Sequence, residues 1–187
     1  MPVHARRLGW LLTVAGALGL AAAFVLTVEK IRLLQDPAYR PTCSINPILS
    51  CGSIMGSDQA EVFGFPNPLL GLVGFTVVVT TGVAVLAGAV LPRWWWLGLQ
   101  AGAVFGVVFV HWLFVQSVYR IGALCPYCMA VWVVTIAVFW YVTLHNLGGR
   151  PIVAAVARFH STILTAWLLV LVALIGVEFW DFWRTLR

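Results

Sequence analysis

Cys125-Pro126-Tyr127-Cys128 decides the fold, because it opens the long apolar run 129–144. A Cys-x-x-Cys pair at the start of a helix has both sulfurs on one face. This spacing suits a reversible disulfide when the Cα atoms lie about 4.4–6.8 Å apart. Pro126 fits a first helical turn, and the free N–H groups of that turn lower the pKa of a thiol. The stretch predicts a redox-active dithiol at the mouth of a membrane helix, and two inert buried cysteines are the alternative.

The composition indicates that this helix belongs to a multispanning membrane protein. Of the 187 residues, 62% are hydrophobic and 9% are charged, and the mean hydropathy is +1.00. A soluble domain carries about 25% charged residues. The basic residues lie near the ends of apolar runs and the formal charge is only +5, which indicates topology signals and not a nucleic-acid surface.

Five apolar segments predict an all-α protein with five membrane-spanning helices. The predicted spans are 9–28, 68–90, 95–119, 125–145 and about 161–179. The first apolar run is longer than a signal-peptide core of about 7–15 residues, so we interpret it as a retained span, with cleavage as the alternative. We expect a catalytic bundle over 1–147, followed over 148–187 by a cytoplasmic connector, the fifth span and a short external tail.

The segment 35–67 is the sizeable polar loop of the chain, and it carries the second cysteine pair, Cys43 and Cys51. A short helix is predicted over 54–62, with Gly52 or Ser53 near its start.

The distribution of basic residues predicts the orientation of the spans. The N-terminal arginines and the connector after the fourth span carry positive charge, which places both in the cytoplasm. Lys30, Arg32 and Arg40 near the outer loop weaken that count. Both cysteine pairs then lie on the same extracytoplasmic face, where disulfide chemistry belongs.

Two dithiols on one face predict an electron relay, because thiol–disulfide exchange passes a disulfide from pair to pair through a mixed disulfide. A mobile loop can carry one thiol to an outside partner and the other to the helix pair. Since the fourth helix begins at lipid level, a lipid-soluble quinone is the natural two-electron acceptor. The residues alone therefore predict a membrane thiol oxidoreductase.

Several elements of the chain recur together in one known family. They are Asp36-x-x-Tyr39-Arg40-x-x-Cys43, Cys43-x7-Cys51, Ser57, Asn67 before Gly71, and Cys125-x-x-Cys128 at the start of the fourth span. On these residues the chain resembles the vitamin K epoxide reductase (VKOR) family, in its bacterial disulfide-forming branch, over roughly residues 8–147. The resemblance implies a four-helix transmembrane bundle around a quinone of the menaquinone, ubiquinone or phylloquinone type. An extracytoplasmic cysteine loop with a short helix caps the bundle.

The resemblance also implies a role for each cysteine. Cys128 lies next to the quinone and attacks it or forms a charge-transfer adduct. Cys125 exchanges with Cys51, and Cys43 faces a thioredoxin-like partner. No metal is expected.

The implied quinone pocket contains Asn67, Trp132, Ser57 and Met55. Asn67 hydrogen-bonds a quinone carbonyl, and a simple turn residue is the alternative. Ser57 either caps the loop helix or assists in the site. Trp132 stands where vertebrate members carry Tyr, and its indole N–H donates but cannot accept; ordinary bundle packing is its alternative. His111 in the third span either relays protons or hydrogen-bonds across the bundle, and we leave it outside the site.

Bacterial relatives with a fifth helix often carry a fused thioredoxin-like domain after it. This chain has the fifth helix and stops, so the expected partner is a separate DsbA-like thioredoxin-fold protein. The expected location is the bacterial cytoplasmic (plasma) membrane, with a cytoplasmic N-terminus and an extracytoplasmic active site.

Four alternatives stay open at this point. They are a vertebrate-type vitamin K epoxide or quinone reductase, a quinone-linked oxidase of the DsbB type, a transporter, and a non-catalytic membrane protein whose thiolates bind zinc. The DsbB type carries its Cys-x-x-Cys in the first external loop, where this chain has the wide pair. Structural zinc usually needs two close pairs, and Cys43-x7-Cys51 is wide. The spans lack the buried charge and repeats of many transporters.

Overall fold

The computed structural model describes residues 3–148 and 151–185. Within these ranges the chain forms helices α1 (Val3–Gln35), α2 (Cys51–Met55), α3 (Pro68–Leu86), α4 (Arg93–Val115), α5 (Pro126–Leu147), α6 (Pro151–Arg158), α7 (His160–Glu178) and α8 (Trp180–Thr185). A 3₁₀ helix covers Asp58–Glu61, and a π-helix over Gln116–Ile121 continues α4. Extended pairing among these residues consists of one isolated parallel bridge between Leu49 and Leu124.

Among the described residues, five helices are long and apolar enough to cross a membrane. They cover Ala5–Gln35, Pro68–Leu86, Arg93–Ile121, Pro126–Leu147 and His160–Glu178. The predicted all-α class with five membrane-spanning helices is confirmed.

The helix ends differ from the apolar runs for local reasons. α1 continues past the charged residues Glu29 and Lys30 to Gln35, and Pro37 follows it. α3 ends at Leu86 because Gly88 adopts a φ of 97°, which an L side chain rarely adopts.

The chain forms two compact units, Met1–Asn146 and Leu147–Arg187. The first contains α1 to α4 and nearly all of α5. Its core is formed by buried side chains of the four long helices α1, α3, α4 and α5, namely Leu12, Ala15, Phe75, Val78, Leu99, Val134, Val138 and Val142. The second unit contains α6, α7 and α8, and α7 presents exposed apolar side chains such as Leu169 and Val172.

Glycine lets α1 and α3 approach each other closely. A Cβ atom at Gly16 would lie 2.7 Å from the backbone N of Val79, and one at Gly82 would lie 2.5 Å from the backbone N of Thr13. Small residues permit this backbone contact between membrane helices, where packing replaces the hydrophobic driving force. The α1–α3 pair is thus the tightly closed side of the bundle.

The predicted loop helix over 54–62 is wrong in its bounds, because two short helices form instead. α2 begins at Cys51, since the Ser50 side chain accepts a hydrogen bond from the backbone N–H of Ser53 and caps it. α2 ends at Met55, and the Ser57 hydroxyl donates to the Ile54 carbonyl at 2.7 Å. Such a local side-chain bond competes with continuation of the helix.

Candidate thiol relay site

The four cysteines meet where the polar loop covers the start of α5. Cys43 and Cys51 form a disulfide with Cα atoms 5.6 Å apart, while Cys125 and Cys128 are free thiols. The Sγ atoms of Cys51 and Cys125 lie 3.2 Å apart. The sulfurs of Cys43, Cys51 and Cys125 all lie within 4.8 Å of one another. A disulfide can therefore pass between the two pairs without a large movement of either backbone.

A short backbone pairing aligns the two central sulfurs. The Leu124 N–H donates to the Ile48 carbonyl at 2.7 Å, and the Ser50 N–H donates to the Leu124 carbonyl at 2.9 Å. Ser50 directly precedes Cys51, and Leu124 directly precedes Cys125. The bridge thus fixes the register of one cysteine against the other. It was missed by sequence reasoning, since a single bridge leaves no periodic pattern in the sequence.

The π-helix and the turn after it carry the chain into that bridge. Gly122 adopts a φ of 68°, in the left-handed region that favours glycine. The Ser117 hydroxyl donates to the Ala123 carbonyl, and the Ala123 N–H donates to the Ser117 carbonyl. π-helical turns occur often at functional sites, and this one holds the segment just before Cys125.

Cys125 is the activated thiol of the helix pair. It lies directly before α5, outside the membrane-spanning segment, and its side chain is fully buried. A hydrogen bond from the Cys128 thiol, aided by the backbone N–H groups of Cys128 and Tyr127, lowers the pKa of Cys125 although its burial acts in the opposite direction. A thiol with a lowered pKa leaves faster in disulfide exchange, so Cys125 is readily released from a mixed disulfide with the nearby Cys51.

The sulfur cluster does not suit zinc in this redox state. Zinc binds thiolates, whereas Cys43 and Cys51 are joined to each other.

A cavity of about 710 Å³ lies inside the bundle beneath the cysteine loop. Its walls are mostly apolar side chains of α1, α3, α4 and α5, and Cys128 is part of the lining. The polar side chains among the lining residues include Ser57, Asn67, Gln116, Ser117 and Thr135. A largely apolar cavity with a few polar groups is typical of a small-molecule site.

Asn67 brings an unpaired polar atom to this cavity. Its Nδ2 donates to the Gln59 carbonyl at 2.7 Å, whereas its Oδ1 is buried without a hydrogen-bond partner. Asn67 occupies the N-cap position of α3, yet its side chain makes no capping hydrogen bond. An unpaired buried acceptor is costly, so the site fits a ligand with a hydroxyl that can donate to Oδ1.

The other predicted pocket residues also line the cavity. Trp132 is buried and packs edge-on against Phe114, with ring centroids 5.3 Å apart. Met55 is buried in the roof, and Ser57 lines the same roof while its hydroxyl is held by Ile54. His111 Nδ1 lies 2.7 Å from the Val107 carbonyl, one turn earlier in its own helix.

Two residues missed by the sequence analysis are Glu29 and Lys30, which are buried at the end of α1. Lys30 lines the cavity, and both residues contact the cysteine loop. The signal available in the sequence was a charged pair at the end of an apolar run with no helix breaker before Pro37.

The chain matches the sequence model of a known protein family. The model of the vitamin K epoxide reductase family matches residues 10–143, which include both cysteine pairs. The chain belongs to the vitamin K epoxide reductase family. This membership indicates a membrane thiol oxidoreductase, in a family that is generally quinone-linked. No curated protein matches the chain.

Proposed function

We propose that this VKOR-family protein reoxidises a DsbA-like thioredoxin-fold partner and reduces a membrane quinone, which drives disulfide formation in secreted proteins. The observation that carries the proposal is the 3.2 Å contact between the Cys51 and Cys125 sulfurs, beside a cavity lined by Cys128. This arrangement gives one continuous route for two electrons, from the loop pair to the cavity.

The first step reduces the loop pair. A thiolate of the partner attacks Cys43 Sγ, and Cys51 leaves as a thiolate. The second thiol of the partner then attacks the mixed disulfide and releases Cys43. The partner departs with a disulfide, and the loop pair has gained two electrons as a dithiol.

The second step moves those electrons to the helix pair. Cys51 attacks Cys125 Sγ of the Cys125–Cys128 disulfide, and Cys128 leaves. Cys43 then attacks Cys51 in the mixed disulfide and releases Cys125. The product has a Cys43–Cys51 disulfide and two thiols at Cys125 and Cys128, which is the redox state of the structure.

The third step oxidises the helix pair at the cavity. A bound quinone supplies an acceptor for two electrons and two protons. Cys128 lies at the cavity wall and gives up electrons as the Cys125–Cys128 disulfide forms again, with release of both thiol protons. Asn67 would orient the ring, because the second N–H of its amide can donate to a quinone carbonyl, while Oδ1 can accept from a hydroxyl of the quinol product. Trp132, Met55 and Ser57 shape the same cavity.

The proposed location is the bacterial plasma membrane, with both cysteine pairs on the extracytoplasmic face. The charge distribution supports this orientation, since basic residues precede the first span and follow the fourth. An oxidising face also suits a protein that generates disulfides.

Trapping the partner tests which cysteine of the loop pair forms the mixed disulfide with it. In Cys51→Ser, Cys43 has lost its resolving thiol, and we expect it to form a stable mixed disulfide with an oxidised DsbA-like protein. Cys43→Ser is the matched control and should trap little. A trap that forms equally well through Cys51 would contradict the assignment of Cys43 to the partner.

A further inference from the structure

Two consecutive charged residues near the end of α1, Glu29 and Lys30, contact different parts of the cysteine loop. Glu29 contacts the segment that leads to Cys43 (the Cys43 limb), and Lys30 contacts the segment that follows Cys51 (the Cys51 limb). Glu29 and Lys30 are only 4% and 6% exposed. Charged side chains are rarely this buried unless they are paired. Because both belong to one rigid helix, their partners show which parts of the loop that helix holds.

Glu29 holds the limb that leads to Cys43. Its Oε2 accepts a hydrogen bond from the Tyr39 hydroxyl, and its Oε1 accepts one from the Thr42 hydroxyl, both at 2.8 Å. Thr42 directly precedes Cys43, whose side chain is only 5% exposed. Because Cys43 is buried, its sulfur must become exposed before a partner thiol can attack it, and an outward movement of this limb would break or lengthen both hydrogen bonds.

Lys30 holds the limb that follows Cys51. Its Nζ donates to the Met55 carbonyl at 2.6 Å, at the end of α2. It also forms an ion pair with Glu61 Oε1 at 2.8 Å. Lys30 and Met55 both line the cavity, so this contact fixes the roof of the cavity.

The two parts of the loop differ in how they are held. Both charged residues make charge-assisted hydrogen bonds, Glu29 with two hydroxyl groups and Lys30 with the Met55 carbonyl. The backbone bridge through Leu124 in addition holds the residues just before Cys51. The loop is therefore fixed at Cys51 by its backbone, whereas the residues just before Cys43 are held to α1 by side-chain hydrogen bonds.

We propose that Glu29 and Lys30 are positioning residues with separate tasks: Glu29 is a latch that controls access to Cys43, while Lys30 keeps the cavity roof seated. The loop then opens on one side only, and the partner reaches Cys43 without exposing the cavity. The proposal rests on the proposed function for the role of Cys43, but its test needs neither quinone nor partner.

The test measures how fast the loop disulfide opens. In a Cys125→Ser/Cys128→Ser background, oxidised protein is treated with glutathione, quenched by alkylation and analysed by mass spectrometry. One glutathione thiolate attacks Cys43 and a second completes the reduction, which yields the dithiol and glutathione disulfide. Thr42→Val removes the hydroxyl that donates to Glu29 at nearly constant volume. We expect opening about tenfold faster, because a hydrogen bond to a charged group is lost.

Matched variants separate a latch from general loosening. Thr42→Ser keeps the hydroxyl and should open like wild type, while Tyr39→Phe should accelerate opening as Thr42→Val does. Glu61→Gln weakens the Lys30 contact on the other limb, and its opening rate should stay within about twofold of wild type. Equal rates for Thr42→Val and Thr42→Ser would overturn the latch, and equal acceleration by Glu61→Gln and Thr42→Val would overturn one-sided opening. If glutathione opens the disulfide as expected while wild type reduces no quinone, the latch stands and the proposed function falls.

Discussion

Glycine has opposite effects on two sides of the same bundle. Between α1 and α3, a Cβ atom at Gly16 or Gly82 would overlap the backbone of the facing helix. On α4, a Cβ atom at Gly98 or Gly102 would meet nothing within 4 Å, and both residues line the cavity. On the closed side, between α1 and α3, the missing side chain allows close contact between the helices. On the open side, along α4, the missing side chain leaves space in the cavity.

The difference shows how this chain separates stability from function. On the closed side, the backbones of α1 and α3 are in contact. A clash introduced there therefore cannot be relieved by a change of side-chain rotamer. The open side contributes little packing at its glycines but keeps room in the cavity. Substitutions on the two sides should therefore have different consequences: those on the closed side should lower stability, and those on the open side should lower activity.

The largest expected effect is on the closed side. In Gly82→Leu the new side chain would overlap the Thr13 backbone, whose N lies 2.5 Å from the Cβ position. We expect a loss of about 3 kcal/mol or more in the free energy of unfolding, since overpacking against a fixed backbone cannot relax. Thermal unfolding in detergent measures it. A melting temperature equal to that of wild type would show that α1 and α3 do not pack as described.

The matched substitution on the open side is Gly102→Leu. Its side chain would enter the cavity, so the melting temperature should stay near that of wild type. Quinone turnover should fall about tenfold or more, expressed as kcat/KM. Full activity in Gly102→Leu would mean that the quinone does not use this part of the cavity.

A smaller effect is expected from Asn67→Leu, which removes the amide N–H that can donate to a quinone carbonyl. We expect KM for quinone to rise about threefold to tenfold, in line with the loss of one hydrogen bond. Asn146→Leu is the control, because Asn146 contacts Trp96 and Gln100 elsewhere in the bundle. Equal KM values for the two variants would remove Asn67 from the site.

The pH dependence of the helix pair gives the smallest effect. The pKa of Cys125 is lowered chiefly by the hydrogen bond from the Cys128 thiol. Its thiolate should therefore form at a lower pH than that of an ordinary cysteine, whose pKa is about 8.5. Cys128→Ala should move the thiolate transition, followed by ultraviolet absorbance, to higher pH. An unchanged transition would mean that Cys128 does not activate Cys125.

The sequence was sufficient for the membrane class, because apolar runs of this length have few other uses. It also predicted that Cys43 and Cys51 share a face with the helix pair, since the number of spans between them determines the side. The roles of the individual site residues stay predictions.

The alignment of Cys51 with Cys125 could not be predicted. It depends on a single backbone bridge at Leu124 and on the buried contacts of Glu29 and Lys30. Backbone pairs and buried ion contacts of this kind arise from tertiary packing and leave no periodic signal. The bounds of the loop helix were predicted wrongly for a related reason. Its ends depend on local hydrogen bonds made by the side chains of Ser50 and Ser57.

Anaerobic quinone reduction by purified protein tests the central claim most directly. Wild type, Cys128→Ser and Cys43→Ser are each supplied with a reduced DsbA-like partner or with a small dithiol. We predict that Cys128→Ser abolishes turnover with both reductants, while Cys43→Ser loses only the rate driven by the partner. If wild type reduces no quinone with either reductant, or Cys128→Ser keeps its activity, the relay from the loop pair to the cavity is contradicted.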